Sequence, residues 1–245
     1  PSGRFFSAPE SRRTGVQEMK DPENRRNRIL NQAWRLFLAR GFGGTSMRQI
    51  AEAAGVSLGL VTYYFATKET VALEILNRFL GIFKEHLERA VDVDEDPLLY
   101  SASLVRLNYR IMSSPPFELF YKDAMRNDLY FRTIPEDRGS NPDESLRSLR
   151  RINEKYGLGH SDEYLELFGT YLCVSMERTL VLYPKTRAVG HIPDLVFRTY
   201  MGHLDPGFAD FETYCRRSDA LVEGILREHP ELLEVRDLFE EPPRE

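Results

Sequence analysis

Apolar residues recur along this chain at intervals of three and four, the spacing of a helix face, and strict alternation never persists. Ile29, Leu30, Ala33, Trp34, Phe37 and Leu38 form one such stripe and predict a helix over about 23–39, ended by Gly41. A longer stripe, running through Val71, Ala72, Ile75, Leu76, Phe79, Leu80, Phe83 and Leu87, predicts a helix from Thr67 to about Val91. At ~1.5 Å per residue its ~24 residues span ~36 Å, so it must leave the small unit before it and enter a second domain as a rigid connector. Helical patterns follow over about 97–112, 117–126, 143–156, 163–182, 193–201 and 207–228. Breakers separate them: the acidic loop Asp92–Asp96, the Ser113–Pro116 turn, a loop over 127–142 with Pro135, Gly139 and Pro142, then Gly157, Gly159 and Pro184. There is no repeat and no glycine-rich phosphate loop. The predicted fold is all-α, with about nine to ten helices in two domains.

Between the first and the long helix lies TSMRQIAEAAGVSLGLVTYYFATK, residues 45–68. Ser46 followed by Gln49 is a capping box that starts a helix at about Met47. Gly55 can take the left-handed conformation that ends it. Ser57 then caps a second helix, about Leu58 to Tyr64. Small Ala51 permits close approach, and Ile50, Ala54, Val56 and Val61 supply the contacts between the two. This is the helix-turn-helix plan, whose second helix is shaped to enter a DNA major groove. A helical hairpin inside a larger bundle shares the spacing. Against it stand Ser57, Thr62, Tyr63 and Tyr64, which can reach phosphates or base edges, and Gly55 and Gly59, which allow close backbone approach. Thr67 caps the long helix, and a solvent-facing Lys68 at its start runs against the helix dipole, suggesting another use for the charge.

The ordered set Arg28-Ile29-Leu30, Ala33, Phe37, Gly41-Phe42, Thr45-Ser46-Met47-Arg48-Gln49-Ile50-Ala51, Ala54-Gly55-Val56-Ser57, Gly59, Val61, Tyr63-Tyr64-Phe65 and Lys68-Glu69 resembles the DNA-binding domain of TetR-family repressors. The resemblance covers roughly residues 25–76, and beyond them it is one of organisation only. It implies a three-helix DNA-binding head followed by a larger helical domain that binds an effector and dimerises. DNA contacts are expected from Thr45, Ser46 and Arg48, from Ser57, Leu58, Gly59 and Leu60, and from Thr62, Tyr63, Tyr64 and Lys68. The family commonly shows Lys, Gly, Thr and Tyr where this chain has Leu58, Gly59, Leu60 and Thr62, so only the glycine is kept. Two readings of the leucines stand: they pack against the first helix or the arm, or they meet thymine methyl groups.

The second domain is rich in aromatic residues and Met. Core packing accounts for such residues in general. The resemblance implies a small-molecule pocket among the fourth to eighth helices, which makes Phe79, Phe83, Tyr109, Met112, Phe117 and Phe120 candidate effector contacts, with Tyr121, Met125, Phe168, Tyr171 and Met176. Polarity there would come from Asn108, Thr170 or Ser175 and the tyrosines, and an apolar or aromatic effector is expected. The family's last two long helices form a four-helix interface in a homodimer, which is expected here too.

Net charge is −5, which looks wrong for a nucleic-acid partner until it is placed along the chain. Eleven basic and five acidic residues through Lys68 give +6, leaving −11 for the remainder. A basic head on an acidic body follows. The domain reading is a mobile basic arm over 1–22, the head over 23–68, an effector-binding and dimerisation domain over 69–235, and an acidic tail over 236–245. No apolar run approaches the ~20 residues of a membrane span. The start, PSGRFFSAPESRRTG, lacks the apolar core of a secretory signal, so a cytoplasmic location is expected. Cys173 and Cys215 form no ligand cluster and read as two reduced, buried thiols. His86, His160, His191, His203 and His229 are scattered, with no HExxH and no metal set. No nucleophile elbow or P-loop appears, and the neighbouring Asp205, Asp210 and Glu212 read as a cap and surface residues. No cofactor, no metal and no catalytic residue is expected. The reading is a ligand-responsive repressor of a palindromic operator. The alternatives are a helical enzyme, or an unregulated DNA-binding module, with a similar head.

Overall fold

The computed structural model describes residues 22–133, 143–183, 185 and 191–239, and all regular structure among them is helical. Of the arm expected over 1–22, residues 1–21 lie outside the described residues and Pro22 starts the first helix; most of the loop over 127–142 and the end of the tail, 240–245, lie outside them too.

Three helices make the head. α1 is Pro22–Arg40, opening on a proline whose fixed φ suits a first turn. Its face of Ile29, Leu30, Ala33, Trp34 and Phe37 is wholly buried. α2, Met47–Ala54, begins at the capping box: Gln49 N–H donates to Ser46 Oγ at 3.3 Å and Ser46 N–H to Gln49 Oε1 at 2.8 Å. Gly55 ends it at φ 63°, and the Val56 N–H reaches back to the Ala51 carbonyl at 3.0 Å. α3, Leu58–Tyr64, is capped by Ser57 Oγ, which accepts from the Leu60 N–H at 3.2 Å.

α4, Lys68–Ala90, capped by Thr67, leaves the head and packs along α5, Pro97–Met112. α5 is the axis of the body. It contacts α4, α8 (Asp143–Lys155), α11 (Ile192–Leu204) and α12 (Phe211–Glu228). α6 (Glu118–Arg126) and a short α7 (Leu129–Arg132) lie in between. α9 (Asp162–Glu166) and α10 (Leu172–Leu182) are one rod interrupted by a π-helical turn, Leu167–Tyr171. A 3₁₀ turn, Pro230–Leu233, follows α12.

Three departures from the sequence reading have local causes. The rod over 163–182 carries its π turn where Gly169 abuts α8: a Cβ there would stand 2.4 Å from Leu149 Cδ1, so any larger residue would push the Leu149 side chain aside. The last helix starts at Phe211 rather than 207, because Asp205 Oδ1 and its carbonyl hold the N–H groups of Gly207 and Phe208 in a turn. The segment read as the start of an acidic tail has no regular structure over Arg236–Phe239 and docks on the head. Asn31 Oδ1 accepts from the Leu238 and Phe239 N–H groups, both at 3.1 Å, and Asn31 Nδ2 donates to the Phe239 carbonyl at 2.9 Å.

Head and body share one core. Trp34, fully buried, lies against Phe79, Phe117 and Phe120 with ring centroids 4.9, 5.9 and 5.3 Å away. Its indole N–H donates to the Arg236 carbonyl at 3.2 Å. Beside it, Asp123 on α6 accepts from the Gly43 N–H at 3.2 Å. Among the described residues no helix is long and apolar enough to cross a membrane.

Candidate DNA-reading surface and internal cavity

α3 shows solvent an unusual face. Tyr63 is 81% exposed and Leu58 40%, and Gly59 and Thr62 are exposed beside them. Arg48 on α2 is exposed as well. Thr62 Oγ1 donates back to the carbonyls of Leu58 and Gly59, at 3.2 and 3.1 Å. Leu60 is half-buried and lines a small crevice with Arg25, Arg28, Gly55, Val56 and Ser57. Leu58 thus faces out, while Leu60 leans on the crevice.

The other expected DNA residues have structural employment. Ser46 and Ser57 hold their caps. Thr45 is buried, its hydroxyl donating to the Gly41 carbonyl at 2.9 Å. The Tyr64 hydroxyl donates to the Pro22 carbonyl at 3.0 Å and ties α3 to the start of α1. Lys68 is half-buried, which corrects its reading as solvent-facing. Its ammonium donates to the carbonyls of Phe42 and Thr45 at 2.7 and 2.8 Å and sits 4.2 Å from the Phe42 ring centroid. The charge set against the α4 dipole is thus spent on the loop between α1 and α2. Arg28 does similar work at the end of α2, donating to the Ala54 carbonyl at 2.8 Å.

The body holds a half-open cavity of about 480 Å³, the size of a small-molecule site. α4 supplies Leu80, Gly81 and Phe83 and α5 supplies Leu104, Val105 and Asn108. Leu149 of α8, Gly169 and Thr170 of the π turn, and Val174 and Glu177 of α10 close it. Of the residues expected as effector contacts, Phe83 lines this space, and so do Asn108 and Thr170 among the expected polar groups. The rest sit elsewhere. Phe79, Phe117 and Phe120 fill the junction around Trp34. Met112 and Met125 are core. Tyr109 meets Tyr121 and His191 edge-on. Phe168 is held between Tyr164 and His203, Tyr171 stacks on Phe131, and Met176 accepts from the Thr199 hydroxyl. The physical reason is that an aromatic residue fills space as readily as it borders it, and the pattern does not distinguish the two.

The polar group that sequence reasoning missed is Glu177. It is 6% exposed, and the buried Tyr121 hydroxyl donates to its Oε1. Burial pushes its carboxyl up to about 7, against the Tyr121 bond, which pulls it down. The neighbouring Cys173 thiol is raised by burial and by the Glu177 charge. Cys173 and Cys215 are both buried and free. A lone acidic residue at a core-facing position of a helix was the available signal.

The chain fold also gathers two of the scattered histidines. His86 of α4 and His229 at the end of α12 meet edge-on at 4.6 Å, and with Glu231 they bring possible metal-ligand atoms within 4.8 Å of one another. These three partly exposed groups could hold a divalent cation.

Residues 29–75 match the family described as "Bacterial regulatory proteins, tetR family". The chain is similar to the HTH-type transcriptional regulator HbdR of Aromatoleum sp. (strain CIB), 33% identical over 36% of this chain and 38% of that protein. It is similar also to the HTH-type transcriptional repressor AcnR of Corynebacterium glutamicum, 27% identical over 71% of this chain and 92% of AcnR. Among solved structures, a tetR family transcription regulator from Shewanella sp. PV-4 aligns over 72% of this chain and 95% of its own, at 19% identity and a TM-score of 0.44. A capped helix-turn-helix on a helical body defines a DNA-binding regulator by class. Residues 29–75 carry the helix-turn-helix module of the tetR family of bacterial regulatory proteins.

Proposed function

We propose that this protein is a ligand-responsive repressor that binds a palindromic operator as a homodimer and leaves it when a small molecule fills the body cavity. The observation that carries the reading is α4. At its first residue Lys68 grips the loop of the head, and three to four turns on Leu80, Gly81 and Phe83 border the cavity. One rigid helix therefore touches both sites. A ligand can act only by binding one head position more tightly than another. A differential of ~1–3 kcal/mol would change DNA affinity ~5–150-fold.

In this reading α3 enters the major groove. Leu58 meets a thymine methyl, with the Thr62 methyl beside it. Arg48, Tyr63 and the helix-start N–H groups contact phosphates and fix the register. Ser46, Ser57, Thr45, Tyr64 and Lys68 hold the backbone that presents them. Two copies would place their α3 helices on half-sites ~34–36 Å apart or a multiple of that. The α9–α10 rod and α12 are the proposed dimer faces: Leu167 is 53% exposed, and Tyr214 and Leu221 stand half-buried on α12.

The test is a selection of genomic fragments by the purified protein, followed by fluorescence anisotropy on the selected site. A palindromic site bound by a dimer, and released by a small molecule that fails to act when Gly81→Trp fills the cavity, is the expected result. No site selected, or release unaffected by filling the cavity, sinks the reading.

A further inference from the structure

We propose that the cavity takes a cationic ligand, a molecule with an apolar or aromatic body whose protonated amine meets the Glu177 carboxylate. This rests on the cavity being the effector site and adds the chemical class of the effector.

The charges lining the cavity decide the sign. Lys84 and Arg147 stand at its edge, and both are already paired with surface carboxylates. Lys84 lies 3.7 Å from Glu88, and Arg147 lies 3.3 Å from Asp94 and 3.9 Å from Glu88. Glu177 is inside, and among the described residues its partner is a phenol, Tyr121, with no cation at ion-pair distance. The uncompensated charge of the interior is therefore negative. A buried carboxylate without a cation is a stability cost, and an apolar residue in its place would pack without it. Tyr121 secures one of its carboxylate oxygens, and Glu177 also lines the cavity.

The surroundings fit the rest of such a ligand. Leu80, Leu104, Val105, Leu149, Val174 and Val196 offer apolar walls. Tyr130 and Phe83 add ring faces that a cation prefers to aliphatic surface. Burial raises the other titratable groups of the lining, Tyr130, Tyr200 and Cys173, so they are neutral at pH 7. An acidic ligand would set a second anion beside Glu177 in a space where charges are poorly screened. A neutral ligand would leave the carboxylate uncompensated.

Three probes of one shape separate the cases: 4-phenylbutylamine, 4-phenylbutan-1-ol and 4-phenylbutyrate, titrated calorimetrically into the full chain at pH 8. The amine is expected to bind at least ~10-fold more tightly than either analogue, the size of one charge-assisted hydrogen bond. Glu177→Gln, which keeps an acceptor for Tyr121, should reduce the amine to the affinity of the alcohol. A second reading needs no variant. At pH 7 the carboxyl is about half protonated, so amine binding should release a fraction of a proton, seen as a buffer-dependent heat, and alcohol binding should not. If the alcohol or the acid binds as tightly as the amine, or if the amine keeps its advantage in Glu177→Gln, the cation assignment is overturned while the cavity stands as a ligand site. If none of the three binds at ~1 mM, a weak-affinity limit, the cavity falls as an effector site and the assignment with it.

Discussion

Gly41→Ala tests how firmly the head is seated on the body. Gly41 has φ 75°, a conformation that costs an L-residue ~1–2 kcal/mol. A Cβ there would also stand 2.3 Å from Asp123 Oδ2, far inside contact distance, so α6 or its carboxylate must move. Moving it breaks the bond from the Gly43 N–H, and a hydrogen bond to a charged group is worth ~1.5–3 kcal/mol. The single substitution should therefore destabilise the protein by ~2.5–5 kcal/mol, the sum of the two effects. In an Asp123→Ala background the collision is gone, and Gly41→Ala should cost only the backbone term of ~1–2 kcal/mol. A double-mutant cycle by urea denaturation, followed by far-UV circular dichroism, reads the difference. Contacting residues are expected to couple by ~1.5–3 kcal/mol, whereas independent sites add to within ~0.5 kcal/mol. Additivity at that level would show that Asp123 does not meet Gly41, and the seating contact argued from α6 would be wrong.

Leu58→Ala should change base preference at one operator position. A selection on randomised DNA that returns the parent consensus with affinity lowered uniformly would show that Leu58 reads nothing. Lys68→Met keeps the stem over Phe42 but loses two charged donors, so it should lower stability by ~1–3 kcal/mol and leave the salt slope of DNA binding unchanged. A slope reduced by about one unit would instead place the ammonium on a phosphate. For Glu177 the folded carboxyl holds its proton up to about 7 against an ordinary 4.5, so the folded state binds more protons than the unfolded between those values. Stability should fall as pH rises across that window, and Glu177→Gln should flatten the fall. Parallel melting curves for parent and variant from pH 5 to 8 would contradict the burial argument. Sedimentation at ~10 µM, a concentration typical for stable homodimers, should show a dimer, and a monomer with and without DNA would remove the proposed interface.

The head was legible because its signals are local. Ser46 and Gln49, Gly55, Ser57 and Thr67 each satisfy backbone groups within a few residues, and the structure forms each cap as the sequence spells it. The all-α class was legible for the same reason. What escaped depends on packing between distant segments. Lys68 reads as exposed until the loop carbonyls of Phe42 and Thr45 are set beside it. The π turn lies where Gly169 meets Leu149, and neither residue announces the other. Phe117 and Phe120 look like pocket walls, yet they surround Trp34, because which hydrophobic residues leave a gap is a property of the assembled core. Asn31 gives no hint that it will hold a segment over two hundred residues away.

Trp34 is the chain's single tryptophan, and it stands where α1, α4, α6 and the C-terminal segment converge. The protein therefore carries an intrinsic tryptophan fluorophore at a head-to-body seam, with no label to add. While the seam is closed the indole is shut away from water, and its emission should be blue. A head that pivots with the seam intact leaves the spectrum unchanged, whereas one that slides off Phe117 and Phe120, or sheds the Arg236 carbonyl, admits water and shifts it red. Stopped-flow emission after mixing with DNA would time that opening in the unmodified protein.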